Sequence, residues 1–174
     1  MPSHRVQTEE LSLVIGDNAA DGDHQAGYNG IWDLRSVHDE APFFVPPYCG
    51  MNFEFIAPKA RENPTEPKDH PTQLSIEGDE VVLHQDSTPT HAVESWMRYR
   101  PSGPAHIDWT FRYKLHDPGA FSTGVAGFFF RQLYRPAREQ SHLRPEPRCV
   151  RCDDVGAVLY DLPGGGERDC VGRG

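Results

Sequence analysis

Along residues 105–117, AHIDWTFRYKLHD, polar and apolar side chains alternate: His106, Asp108, Thr110, Arg112 and Lys114 take one parity, and Ile107, Trp109, Phe111 and Tyr113 the other. An imidazole titrates nearest neutral pH, and a carboxylate can orient it or act beside it. His106 with Asp108, or with Glu94 from the preceding segment VESWMRYR, is therefore the pair best suited to proton transfer. Residues two apart on a strand lie about 6 to 7 Å from one another. His106 and Asp108 would flank a ligand more easily than bond each other. Trp96 adds an aromatic surface to this polar set. Sugars present hydroxyl edges that pair with charged groups and C–H faces that pack on rings, so Glu94, Trp96, His106, Asp108 and Arg112 suit a carbohydrate ligand. The competing reading is structural: Arg98 or Arg100 sits across a hairpin from Asp108 or His106 in an ordinary cross-strand pair.

Other chemistry-bearing motifs carry less. Cys149 and Cys152 form a CxxC, but Cys170 and His142 follow no regular metal-ligand spacing, and RPEPR precedes the motif where a redox fold needs a strand. Asp17, Asp21 and Asp23 cluster beside glycines, yet a calcium loop begun at Asp17 would place Ala19 and Tyr28 at ligand positions. A turn-rich connection is the reading there. The triple glycine at 164–166 lacks the Lys-Ser/Thr of a phosphate loop, and no nucleophile elbow or HExxH helix occurs. No metal and no cofactor are expected.

The elements that must position these residues read as strands. ELSLVIGD alternates Leu11, Leu13 and Ile15, GYNGIWDLRSV follows an Asn-Gly turn signal, and GMNFEFIAP places Met51, Phe53 and Phe55 opposite Asn52, Glu54 and Ile56. Residues 58–71 hold four prolines among many charges and read as an exposed loop. QLSIEGDEVVLHQD is the clearest hairpin, turning at Gly78 and Asp79. In VESWMRYR either parity could face the core. The strand at 105–117 follows a Pro-Ser-Gly-Pro turn, and GVAGFFFRQLY suits a strand buried on both faces.

Composition sets the wider frame. The chain has 174 residues, 16 prolines, 16 glycines and a formal net charge of −9. That proline and glycine content favours turns over long helices, and the negative charge opposes attraction to nucleic acid or an anionic membrane. The N-terminus lacks a signal-peptide pattern and no apolar run reaches the length of a membrane helix, so a cytoplasmic protein with four reduced cysteines is expected. Composition changes near residue 135. All nine phenylalanines, three tryptophans and three lysines precede it, whereas residues 135–174 are rich in Arg, Gly, Pro and Cys. Residues 1–134 thus read as a β-sandwich domain and 135–174 as an irregular tail, either native or the product of a frameshift.

Tyr28-Asn29-Gly30, Phe44 to Pro46, Gly50 to Glu54 and Glu94 to Trp96 together resemble the N-terminal half of an uncharacterised bacterial family of planctomycete-like genomes. The resemblance covers residues 26–134 and implies a fold similar to the galactose-mutarotase supersandwich, with its second half absent here. It carries over no functional residues. A partial supersandwich would leave strand edges free for self-association. The expectation is an all-β, antiparallel β-sandwich with an irregular tail, associated with carbohydrate and binding rather than catalytic. The alternatives are a sugar epimerase or lyase using His106 with Asp108 or Glu94, and a truncated product without independent function.

Overall fold

The computed structural model describes residues 2–57, 67–88, 92–117, 119, 125–131, 155–161 and 168–172. Alternation of apolar and polar residues gives strands β1 (Ser3–Gln7), β2 (Leu11–Gly16), β3 (Gly30–Ser36), β4 (Asn52–Ala57), β5 (Gln73–Glu77), β6 (Glu80–Gln85), β7 (Val93–Gly103), β8 (His106–Leu115) and β9 (Val125–Arg131). Strands β10 (Val155–Asp161) and β11 (Arg168–Gly172) follow, and a 3-10 turn spans Pro67–Asp69. All the strand pairings among the described residues are antiparallel. The fold is all-β, as expected, and no described helix is long and apolar enough to cross a membrane.

The sheets run β1-β2-β3, β10-β9-β4 and β11-β8-β7-β6-β5. A two-way backbone bridge between Ile31 and Gly50 joins the first to the second. The result is sandwich-like: these joined sheets form one layer and the five-stranded sheet the other. Between them lies one apolar core. Phe53 meets Phe111 edge-on at 5.1 Å, Tyr113 lies 4.5 Å from Phe128, and Trp109 meets Phe130 at 4.9 Å. Leu13, Ile15 and Ile31 extend the same core across the first sheet. Tyr99 is fully buried within it, and that burial raises its phenol far above the ordinary range.

In β4 the observed faces depart from strict alternation. A bulge between Phe53 and Phe55 shifts the register, so Phe53 and Ile56 are both buried although their parities differ. One extra residue in a strand reverses which face the following side chains take. Residues 58–66 of the proposed loop lie outside the described residues. Its last part is held to the core: Pro67 is buried, and Gln85 Nε2 donates to Pro67 O at 2.7 Å and His70 O at 2.8 Å.

The segment after residue 134 contains β10, paired with β9, and β11, paired with β8. These strands occupy what would otherwise be open edges of β9 and β8. Cys149 and Cys152 lie outside the described residues. Cys49 is a buried free thiol donating to Asn29 O at 3.0 Å, and burial raises its pKa far above the ordinary thiol range.

Candidate functional site

The register of the five-stranded sheet settles which parity faces outward. In β7, Val93, Ser95, Met97 and Tyr99 are buried, leaving Glu94, Trp96, Arg98 and Arg100 on the outer face. In β8, Phe111 and Tyr113 point into the core and Asp108, Thr110, Arg112 and Lys114 point outward. Each of these outward residues of β7 has an outward ladder partner on β8: Glu94 opposes Lys114, Trp96 opposes Arg112, Arg98 opposes Thr110 and Arg100 opposes Asp108.

This arrangement separates the sequence-predicted site residues along one face. At one end Arg100 Nη2 pairs with Asp108 Oδ2 at 3.0 Å, one of the cross-strand partnerships anticipated from the hairpin. His106 is exposed beside Gly103, beyond a register shift at Pro101. Glu94 stands near the other end of β7, about 30 Å along the strand from Gly103 at 3.3 Å per residue. His106 and Glu94 are thus not brought together. Trp96 and Arg112 sit opposite each other between these ends. Arg98 bridges to Glu77 at 2.7 Å and Glu80 at 2.9 Å, clamping the outer faces of β5, β6 and β7.

Around Glu94 the structure assembles a group that sequence reasoning passed over. His84 on β6 opposes Trp96 on β7, and their rings stack with centroids 5.1 Å apart and planes inclined by 13°. His84 Nε2 lies 3.1 Å from Glu94 Oε1 and 3.7 Å from Asp86 Oδ1. From the far side, His116 Nε2 donates to Glu94 Oε2 at 2.6 Å, while the His116 backbone N–H bonds Ala92 O at 2.8 Å. Glu94 thereby gives one oxygen to each imidazole. Partial burial by itself would raise its pKa, but the bonds from His116 and His84 outweigh that and hold the carboxyl below its usual range. The Glu94 side chain is 19% exposed and His84 25%, against 68% for Asp86, so the group opens to solvent on the Asp86 side.

Two signals in the sequence point to this group. His84-Gln85-Asp86 places two metal-compatible side chains on one parity of a predicted strand, and His116 continues the outward parity of Arg112 and Lys114. Neither reveals that three strand ends converge, because that depends on the pairing of β6 with β7 and of β7 with β8.

A second histidine belongs to the architecture. His24 stacks on Trp32 with centroids 3.8 Å apart and its Nε2 lies 2.7 Å from Tyr28 O. Burial in the turn-rich connection lowers its pKa below that of a free imidazole. Trp32 Nε1 donates to Asp17 O and Tyr28 O, which closes that connection on β3. The aspartates at 17, 21 and 23 accordingly sit in a structured turn. No protein-family model, curated protein or solved structure matches the chain.

Proposed function

We propose that this chain is a carbohydrate-associated, ligand-binding β-sandwich domain whose binding face is the outer surface of the five-stranded sheet. The observation that carries the reading is Trp96, a half-buried ring stacked on His84 in the middle of an outward row that includes Glu94 and Arg112. Aromatic surface beside charged hydrogen-bonding groups matches the two kinds of surface on a sugar. A rigid antiparallel ladder holds those groups at fixed spacing, which favours binding over a reaction that needs groups to converge.

The epimerase or lyase alternative depends on His106 with Asp108 or Glu94. Here Asp108 is engaged by Arg100, and Glu94 by His84 and His116. That engagement weighs for a binding role. Within the same proposal the protein acts in the cytoplasm, with no nucleic acid or membrane partner and no cofactor for sugar binding. Self-association would run through sheet edges such as β5, where Ile76 is 48% exposed.

The test is binding of the full chain to a glycan array in chelator-containing buffer, followed by titration of the best sugar. Trp96→Ala should weaken that sugar about 2- to 12-fold, the equivalent of about 0.5–1.5 kcal/mol for one aromatic contact. Silence across all sugars would overturn the proposal.

A further inference from the structure

The group around Glu94 has the donors, the spacing and the support of a metal site. His84 Nε2 and one carboxylate oxygen each from Asp86 and Glu94 all lie within 4.8 Å of one another. Donors held at about 2.1 Å around a tetrahedral ion are about 3.4 Å apart, and the separations of 3.1 and 3.7 Å from His84 bracket that distance. Small side-chain rotations would close the set.

We propose that His84, Asp86 and Glu94 bind a divalent transition-metal ion of the zinc class, with His116 as a positioning residue that holds Glu94 by its second oxygen. The donor set selects the class. One imidazole with two carboxylates is the mixture zinc accepts, whereas calcium and magnesium prefer oxygen donors and soft ions prefer thiolates.

Two of the donors, His84 and Glu94, are also held in place. His84 and Glu94 stand on adjacent paired strands, the His84 ring is fixed against Trp96, and His116 is anchored by its backbone bond to Ala92. Two carboxylates, Asp86 and Glu94, face the same point and attract a dication. Lys114, the ladder partner of Glu94, is exposed and free to turn its ammonium to water. Three protein donors leave a coordination position open toward solvent. This inference stands apart from the sugar reading, since the ion needs no carbohydrate and the sugar test is made in chelator.

The experiment uses the full chain with Cys149, Cys152 and Cys170 changed to serine, alongside the unaltered chain, so that C-terminal thiols do not compete. Each is titrated with cobalt(II), followed by its visible absorption, and the cobalt is then displaced with zinc. One ion per chain is expected, with a spectrum free of thiolate charge transfer in the serine variant. His84→Ala should abolish that spectrum, and Glu94→Gln should weaken binding at least tenfold. His116→Ala should weaken it about 10- to 100-fold while preserving the band positions, and His116→Gln, which still donates to Glu94, should restore most of the loss. His4→Ala, an exposed histidine on β1 in the other layer, should bind as the parent does. Far-UV circular dichroism and melting of each metal-free variant establish that it is folded. Equal cobalt binding by the parent and a folded His84→Ala variant would overturn the site. So would a signal confined to cysteines, or no cobalt or zinc bound at millimolar concentration.

Discussion

At the scale of single residues, Glu94 shows how a ladder converts an ordinary surface carboxylate into a specialised one. Its two oxygens are taken by His84 and His116, and those bonds outweigh partial burial and lower its pKa. A carboxyl whose folded pKa is depressed stabilises the fold fully above the unfolded value of about 4.3, and that contribution fades as pH falls through the lower folded value. Glu94→Gln should therefore be less stable than the parent near neutral pH, with the difference shrinking in acid below about pH 4.3. Urea unfolding at a series of pH values checks this, and a difference independent of pH would show that the histidine bonds do not stabilise the ionised form. By contrast, the exposed Arg100–Asp108 pair is the kind of contact that adds little stability, so its loss should be nearly silent.

At the scale of elements, the joint between β3 and β4 is the most exacting backbone feature. Gly30 has φ +116°, and a Cβ there would stand 2.6 Å from Gly50 O and 2.9 Å from Met51 O. Gly78, in the β5–β6 turn, also has positive φ, at +65°, but nothing lies within 4 Å of its would-be Cβ. The pair separates two costs that usually come together. Gly78→Ala should cost about 1 kcal/mol from left-handed strain alone. Gly30→Ala adds a collision with backbone that cannot swing away, and should cost at least about 2 kcal/mol and loosen the bridge joining the two sheets. Chemical denaturation of both variants measures the contrast, and equal losses would mean that the joint accommodates the methyl group.

At the scale of the whole molecule, two C-terminal strands lie along the edges of the sheets: β11 beside β8 and β10 beside β9. Open edges present unpaired N–H and C=O groups to any other chain. A chain cut after Tyr134 should lose these partners and associate in a concentration-dependent way in sedimentation velocity experiments, whereas the full chain should associate less. A monomeric truncated chain, as well folded as the parent, would show that β10 and β11 do not protect those edges. The abrupt compositional change at residue 135 would not by itself suggest this role, because strand pairing relies on backbone groups that every non-proline residue carries.

What the amino-acid order determined by itself is local. Period-2 alternation was enough for β2, the β5–β6 hairpin and β8 and for the core placement of Phe111 and Tyr113, and it narrowed the outer cross-strand pair to Arg98 or Arg100 with Asp108 or His106. A strand's two faces are written in consecutive residues, and a short turn limits which residues can oppose each other. Tertiary structure decided the rest. It chose the outward face of β7, where Trp96 and Met97 are both plausible core residues and only packing against the opposite sheet breaks the tie. It placed the bulge that buries both Phe53 and Ile56, and it carried β10 and β11 back to β9 and β8. It also gathered His84, Asp86, Glu94 and His116 from three strand ends, a convergence fixed by cross-strand register rather than by any spacing along the chain.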